Sequence, residues 1–238
     1  MLWSNHLTGY VPLGLANSTG LEWIYVEPNS LRGELPSHIL RQMPSLKFVL
    51  GSYNDFVSHD GNTNLEPFFS SLLNASRLQE LWLEGNNFGG KIPSIIENLP
   101  TSFEQIHLDD NLVYGSIPWE ISNLFNLTLI NLSINLLNGS IPYEISRIKK
   151  LERLYWANNS LPGEIPQTLG DIPHLGLLDL SRNKLSSSIP NSFANLSQLR
   201  WLLLYENQLS GQIPPSPGNC SNLEILDLSR NQIQGTIP

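Results

Sequence analysis

Few stretches of this chain could carry chemistry, and the most suggestive is the glycine-rich run GNNFGGK at residues 85–91. It resembles the loop that cradles nucleotide phosphates, in which the lysine is followed by Ser or Thr as a magnesium ligand. Ile92 stands at that position instead. The run is also in phase with a repeat described below, in which Gly90 is a turn residue. We therefore expect no nucleotide site.

Other catalytic and metal-binding patterns are missing from the sequence. The five histidines are dispersed, and none pairs with a cysteine or an acidic cluster at the spacing of metal ligands. The HRD and DFG triplets of a protein kinase do not occur. Cys220 is the single cysteine; its place in the repeat predicts a small buried apolar residue, and no internal disulfide can form. We predict no enzyme activity for this chain, no metal site and no cofactor.

A first group of surface candidates combines large aromatic side chains with carboxylates. Such a combination suits an extended peptide that carries apolar and basic side chains. Solvent-facing aromatics also arise from strand propensity and cross-strand packing, so a purely structural origin stays open. The members of this first cluster are Trp23, Tyr25, Glu27, Phe48, Tyr53, Glu80, Trp82, Glu84, His107, Asp109 and Asp110.

A second group lies further along the chain and mixes aromatic residues with charges of both signs. These residues are candidates to hold the polar ends of a peptide or to face a partner protein. The structural alternative applies to them equally. The members of this second cluster are Arg153, Tyr155, Asp179, Arg182, Trp201, Tyr205, Asp227 and Arg230.

The element that must position both clusters is a repeat, seen most clearly at residues 202–214, LLLYENQLSGQIP. Leucines stand five and three residues before Asn207 and two after it. The equivalent asparagines are 24 or 25 residues apart, except for Asn54 and Asn86, which are 32 apart. A period in the twenties with the frame LxxLxLxxNxL is typical of leucine-rich repeats. The predicted asparagine ladder is Asn5, Asn29, Asn54, Asn86, Asn111, Asn135, Asn159, Asn183, Asn207 and Asn231.

This frame predicts the shape of each coil. Alternating apolar residues before the asparagine suit a short strand with one buried face. The asparagine amide can donate to and accept from backbone groups of adjacent coils. Two later apolar positions, spaced by three, fit a short helical turn on the convex side. Since one coil cannot bury its own apolar face, the coils must stack. We predict one α/β domain over residues 1–238: a right-handed, horseshoe-shaped solenoid of about ten repeats with a parallel concave sheet.

One repeat is longer than the others, with an insertion in residues 55–86. The polar segment SHDGNTN is followed by Leu65, Phe68, Phe69, Leu72 and Leu73 at helical spacing. This pattern predicts a polar loop and then a helix on the convex side. A tolerated surface insertion and a ligand-binding loop both remain possible at this point. Neither end of the sequence shows a distinct capping unit, so we expect a fragment of a longer solenoid.

Charge and modification motifs narrow the partners. A net charge of −8 argues against nucleic acid or an anionic membrane surface. No apolar run reaches the roughly 20 residues that span a bilayer, and no signal-peptide pattern is present. Sequons exceed chance and favour a secretory route. Asn131 should face the concave side, where a glycan would separate the two clusters. The sequons are Asn17, Asn74, Asn126, Asn131, Asn138, Asn158, Asn195 and Asn219.

The end of the frame, LxGxIP, occurs at residues 137–142, 161–166 and 209–214. It resembles the plant-specific leucine-rich repeat of receptor-like kinases, receptor-like proteins and polygalacturonase inhibitors. Ser187, where glycine is usual, and Pro217 depart from the pattern. Residues 63–81, 114–133 and 169–186 look like the ectodomain of a plant leucine-rich repeat receptor-like serine/threonine-protein kinase.

That resemblance implies a single-pass plasma-membrane protein whose extracellular arc binds a peptide or protein and recruits a co-receptor kinase. Its own kinase domain would lie inside the cell. Both the kinase domain and the transmembrane segment would lie outside this sequence. The alternative is a secreted leucine-rich repeat protein of the cell wall that inhibits an enzyme by contact, as polygalacturonase inhibitors do.

Overall fold

The computed structural model describes residues 1–214 and 222–237. Within these residues, the largest sheet has nine parallel strands whose order in the sheet follows their order in the chain. In the described residues no strand of this sheet precedes Asn5, so the sheet has one strand fewer than the predicted ladder has asparagines. The strands are Trp23–Tyr25, Phe48–Leu50, Glu80–Trp82, Gln105–His107, Leu129–Asn131, Arg153–Tyr155, Leu177–Asp179, Trp201–Leu203 and Ile225–Asp227.

The seven inner strands bury their middle residue, as the alternation of the sequence predicts, whereas Ile24 and Leu226 on the two outermost strands are half-buried and exposed. Leu81, Ile106 and Leu154 are completely buried, whereas the residues on either side of them are half-buried or exposed. Successive middle residues are paired in register, for example Leu81 with Ile106 and Ile106 with Ile130. The flanking residues therefore form one continuous concave surface, because strand side chains alternate between faces.

The asparagine ladder holds successive coils together through buried side-chain hydrogen bonds. Asn111 is representative: its Oδ1 accepts from the backbone N–H of Phe88 in the preceding coil at 2.9 Å. Its Nδ2 donates to the carbonyls of Leu83 and Leu108 at 3.0 and 3.2 Å. Oδ1 of Asn29 and of Asn231 accepts in the same way, from Leu7 and Leu209. The predicted role of these asparagines is confirmed from Asn29 to Asn231.

Short helices form the convex side, as predicted. In most coils a proline in extended conformation precedes a turn of 3-10 helix, whose third residue is buried, as with Pro118 and Ile121. The 3-10 helices are Leu13–Asn17, Ser94–Asn98, Trp119–Asn123, Tyr143–Arg147, Gln167–Asp171 and Asn191–Asn195. The α-helical segments are Ser37–Leu40, His59–Asn62 and Glu66–Leu72. With the strands they enclose one continuous apolar core, and the fold is a leucine-rich repeat solenoid.

A second row of short strands follows the ladder asparagines and was not predicted from the sequence. These strands pair in parallel between neighbouring coils. In two of the three LxGxIP stretches the glycine is at positive φ, +83° at Gly163 and +79° at Gly211, and Ser187 takes the same conformation at +69°. The strands are Thr8–Gly9, Ser30–Glu34, Asp55–Val57, Gly89–Gly90, Leu112–Gly115, Leu136–Leu137, Pro162–Glu164, Lys184–Ser186, Ser210–Gly211 and Gln232–Ile233.

The insertion forms the predicted loop and helix, and the loop lies against the next coil. Asn62 Oδ1 accepts from the backbone N–H of Gly89 at 2.8 Å, and Asn62 Nδ2 donates to the Asn87 carbonyl at 2.8 Å. A Cβ at Gly89 would come within 2.2 Å of the Asn62 carbonyl oxygen, and one at Gly90 within 2.8 Å of that of Thr63. The glycines that resemble a phosphate loop are therefore required by chain packing.

The predictions for Pro217, Asn219 and Cys220 fall outside the described residues. None of the helices in residues 1–214 and 222–237 is both long and apolar enough to cross a membrane.

Candidate ligand-binding face and a carboxylate–histidine cluster

The parallel register assembles a polar cluster on the concave face of the early coils. Trp82 pairs with His107 across neighbouring strands, and the Gly85 N–H donates to the Asp109 carbonyl two residues further on, at 3.0 Å. Glu84, His107 and Asp109 thus lie together; we call them the carboxylate–histidine cluster. Spacing along the sequence did not indicate this contact, because coil stacking joins residues that are far apart in sequence.

The polar atoms of this cluster are close to each other and lack partners. One ligand-type atom from each of Glu84, His107 and Asp109 lies within 4.8 Å of the others. Glu84 Oε2, His107 Nε2 and Asp109 Oδ1 are buried and make no hydrogen bond. A buried polar atom without a partner costs about 1 to 3 kcal/mol, and more when it is charged. The cluster is therefore a locally unfavourable arrangement.

Burial shifts the protonation equilibria of all three groups toward their neutral forms. Burial, with Arg153 as a lesser cause, lowers the pKa of His107 to about 4. Burial, reinforced by the neighbouring Glu84 carboxylate, raises the pKa of Asp109 to about 7. The pKa of Glu84 is also raised, chiefly by burial. His107 is consequently a neutral imidazole at neutral pH, with an electron pair available on a ring nitrogen.

Three neighbours complete the surroundings of the cluster. Ser52 is fully buried; its hydroxyl lies next to the Glu84 carboxyl but makes no hydrogen bond of good geometry. The indole of Trp82 packs against the imidazole of His107, with 4.8 Å between ring centroids. Trp82 Nε1 is buried and unpartnered as well. Asn131, which pairs with His107 on the next strand, has its side chain next to the Asp109 carboxyl.

Aromatic side chains of the first cluster line the concave strands before this site. Trp23 stacks on Phe48 with ring centroids 3.8 Å apart, yet remains 41% exposed. Trp3 stacks on Tyr25 in the same way at 6.2 Å. Cross-strand packing thus explains the presence of these rings, but it leaves one face of Trp23 open to a ligand.

Some predicted candidates do not lie on the strand face. Glu27 is buried, and its Oε2 accepts from the Ser52 backbone N–H at 3.2 Å, so it joins two coils. Tyr53, Asp110 and Arg182 are exposed in the turn just before a ladder asparagine, where φ is +51° to +53°; Arg230 is placed alike at +54°.

Charged residues near the second cluster are paired between neighbouring coils. Glu206, which sequence reasoning did not select, lies between Arg182 and Arg230 and pairs with both, with 3.3 Å to the Nε of Arg182. Arg200 Nε donates to Glu224 at 2.8 Å, and Trp201 Nε1 donates to the same carboxylate at 3.2 Å. A list of residues 24 apart would have found these pairs, since each bridges neighbouring coils.

Other members of the second cluster are held by their own turns or lie on the concave strands. Asp179 Oδ1 accepts from the N–H and hydroxyl of Ser181, at 3.0 and 2.7 Å. Asp227 Oδ1 accepts from the N–H of Ser229 at 3.0 Å. Arg153, Tyr155 and Trp201 lie on strands of the concave sheet. The guanidinium of Arg182 lies over the ring of Tyr205, 5.7 Å from its centroid.

The sequons differ in accessibility. Asn131 lies on the concave sheet and is half-buried; its Oδ1 accepts from the Ser133 N–H at 3.2 Å. Asn126 is half-buried, and its Nδ2 donates to the Thr101 carbonyl at 2.7 Å. The remaining described sequons are exposed: Asn17, Asn74, Asn138, Asn158 and Asn195.

Comparison with protein families and sequences shows which proteins this solenoid is similar to. Leucine rich repeat family models match residues 165–209 and, in a second form, residues 77–99 and 222–238. A leucine-rich repeat receptor-like serine/threonine-protein kinase of Arabidopsis thaliana is 63% identical over 153 residues. The match covers 64% of this chain but only 16% of that protein.

Solved structures give the same result for the fold. The plant peptide hormone receptor RGFR1 in complex with RGF2 has a TM-score of 0.89 and 33% identity, covering 98% of this chain and 36% of that chain. The Arabidopsis receptor kinase HAESA, in complex with the peptide hormone IDA and the co-receptor SERK1, has a TM-score of 0.84 and 30% identity. It covers 99% of this chain and 42% of that chain.

Proposed function

We propose that this chain, whose homologues are plant leucine-rich repeat receptor-like serine/threonine-protein kinases, is a ligand-binding segment of such a receptor's extracellular domain. Its concave face would bind an extended peptide, or the surface of a partner protein. The chain would contribute recognition and no catalysis. Signalling would follow when the bound ligand recruits a co-receptor kinase.

The observation that carries this proposal is the set of open aromatic faces along the concave sheet. Trp23 and Trp201 are 41% and 39% exposed on strands of the same sheet, and seven inter-strand steps separate them. Steps of about 4.8 Å give roughly 34 Å, which an extended peptide of about ten residues spans at 3.3 Å per residue. Buried aromatic anchors of this type dominate the affinity of many interfaces.

Charge along the face sets the expected chemistry of the ligand. The early coils offer the carboxylates of Glu80, Glu84 and Asp109, none of which is in an ion pair with a lysine or arginine of the described residues. Further along the sheet, on the sixth of its nine strands, Arg153 is exposed beside His174 and Trp201. A ligand of opposite polarity, with its acidic end toward Arg153, would match the face.

The structural neighbours favour a receptor over the secreted inhibitor. RGFR1 and HAESA were solved with peptide hormones, the latter also with a co-receptor. This chain matches nearly its whole length to each of them. The parent protein is accordingly proposed to reside at the plasma membrane with this segment outside the cell.

A peptide-display selection on the chain tests the proposal. Peptides recovered from a random library should lose at least about tenfold in affinity for the Trp82→Ala and Tyr205→Ala variants. Tyr143→Ala is the matched control, because Tyr143 is an exposed aromatic on a convex 3-10 helix. If selected peptides bind both concave variants as tightly as the unmodified chain, the concave face is not the binding surface.

A further inference from the structure

We propose that Glu84, His107 and Asp109 form a binding site for a divalent transition-metal ion of the Zn²⁺ type. The three side chains offer one imidazole nitrogen and two carboxylate oxygens, all within 4.8 Å of one another. Zinc takes this combination of nitrogen and oxygen ligands, and three protein ligands leave a further position open. This site does not depend on the identity of the ligand in the proposed function.

The geometry requires only a small adjustment. Zinc–nitrogen and zinc–oxygen bonds of about 2.1 Å in a tetrahedron place two ligand atoms roughly 3.4 Å apart. The three atoms of this cluster therefore have to draw together by about 0.7 Å each at most. Two of the residues, His107 and Asp109, lie two positions apart on one extended segment, and Glu84 stands on the neighbouring one. The sheet thus fixes their backbones, and side-chain rotation can close the site.

A second observation concerns the buried polar atoms at and beside the ligand residues. Ser52 is 0% exposed, and its hydroxyl next to Glu84 has no hydrogen-bond partner. Glu84 Oε2, His107 Nε2 and Asp109 Oδ1 are buried without partners too. A bound cation would engage one atom of each ligand residue, and a carboxylate fixed on the metal would be a defined acceptor for the Ser52 hydroxyl. Such supporting hydrogen bonds are typical of metal sites.

The ligand set also selects among ions. Ca²⁺ takes six to eight oxygen ligands, and Mg²⁺ requires a near-ideal octahedron of oxygens. An imidazole ligand favours Zn²⁺ and its transition-metal neighbours instead.

The test is calorimetric titration of the 238-residue chain, without a histidine tag, with Zn²⁺, Ca²⁺ and Mg²⁺ separately. We expect one Zn²⁺ per chain and no saturable binding of the other two. His107→Gln and Asp109→Asn should each weaken Zn²⁺ binding by at least about 100-fold, beyond the effect of losing a supporting hydrogen bond. Glu84→Gln and Glu80→Gln form a matched pair on one stretch of chain: the first should weaken binding and the second should not.

Thermal melts followed by circular dichroism establish that each variant is folded before its affinity is compared. Absence of saturable Zn²⁺ binding at millimolar concentration would overturn the proposal. Equal binding by the unmodified chain and His107→Gln would overturn it as well. Argininamide provides a further arm: saturable binding of argininamide, with no response to Zn²⁺, would assign these carboxylates to a basic side chain of the peptide ligand instead.

Discussion

Between Asn86 and Asn111 the concave face brings Glu84 and Asp109 to a neutral imidazole, and neither carboxylate is in an ion pair with a lysine or arginine of the described residues. Between Asn183 and Asn231 the same frame places Glu206 between two guanidinium groups. The backbone is the same in both regions, with parallel strands in register and a ladder asparagine in every coil. The regions differ in the signs of the charged residues that occupy equivalent positions in successive repeats.

This difference shows how a solenoid controls its surface. Where opposite charges occur one period apart, neighbouring coils neutralise each other and the face needs nothing from outside. Where like charges occur one period apart, they are brought together and partly buried, and their pKa values rise. The second arrangement stores unfavourable interactions that an external cation can relieve. The early coils therefore present carboxylates that an external cation can bind, whereas the late coils form a self-contained region whose charges are paired between coils.

The largest effect is expected from the frame that both regions share. Asn111→Ala and Asn207→Ala each leave one backbone N–H, that of Phe88 or Leu185, without its partner. Each also removes one of the two ladder-asparagine donors to two carbonyls. Each should reduce the free energy of unfolding by about 2 to 4 kcal/mol. Asn138→Ala, at an exposed asparagine of a neighbouring coil, should change it by less than about 0.5 kcal/mol. Urea denaturation measures all three.

Equal losses in the two ladder variants would show that the regions differ in surface and not in frame. A loss confined to one of them would mean that the coils are not equivalent, and the comparison would then have to include the backbone.

The second prediction compares the effects on stability of replacing two aspartates, Asp109 and Asp179. Asp109→Asn removes a carboxylate whose pKa is raised by burial and by Glu84, so at pH 8 it should stabilise the chain by about 2 kcal/mol. Asp179→Asn removes an acceptor that binds the N–H and hydroxyl of Ser181, and it should destabilise by about 1 kcal/mol. Urea denaturation at pH 8 with a chelator present gives both values. Effects of the same sign in the two variants would remove the contrast between the clusters.

The third prediction concerns pH and separates the two titrating groups. Asp109 has a folded pKa of about 7 against an ordinary value of 3.8, so its contribution to stability falls as pH rises from about 4 to about 7. His107 has a folded pKa of about 4 against 6.5, so its contribution increases with pH over about 4 to 6.5. The two trends largely cancel in the unmodified chain.

His107→Gln should expose the aspartate trend alone, with stability lower by about 1 to 2 kcal/mol near pH 7 than near pH 4 relative to the unmodified chain. His174→Gln is the control, because His174 is exposed on the later coils. The measurement is urea denaturation across this pH range with a chelator present. Parallel pH profiles for the two variants would show that His107 is not coupled to the carboxylates.

Sequence alone was sufficient for the frame because the frame is periodic. The ladder, the concave strands, the convex helices and the helix Glu66–Leu72 all follow from spacing. The candidates Glu84, His107 and Asp109 were also selected, since strand alternation puts them on the concave face. Their mutual contact was missed, because it depends on which residues of neighbouring coils are paired. The role of Glu27 was misjudged for the same reason, since its partner is the backbone of Ser52 in the next coil.

Two other features, the packing role of Gly89 and Gly90 and the second row of strands, could not be predicted because their sequence patterns do not indicate one specific structure. Positions 89 and 90 must be glycine because the loop packs directly against them. Nothing in the run GNNFGGK indicates a packing partner 27 residues earlier in the chain. The second row of strands has too little apolar alternation to be recognised. Its stretches are held mainly by backbone bonds between coils, such as Ser210 N–H to Ser187 carbonyl at 2.8 Å.

The smallest effect is expected in the self-contained region. Glu206→Gln removes the shared acceptor of Arg182 and Arg230, whose side chains are 52% and 74% exposed. Exposed ion pairs contribute about 0 to 1 kcal/mol each, so the loss should be near 1 kcal/mol at low ionic strength and smaller in salt, because salt screens exposed charges. Glu164→Gln, at an exposed carboxylate that forms no ion pair with the described residues, should leave urea denaturation unchanged. A loss for Glu206→Gln above that of the ladder variants would mean that this pairing holds the late coils together, and the contrast between the two regions would then be one of stability as well as of charge.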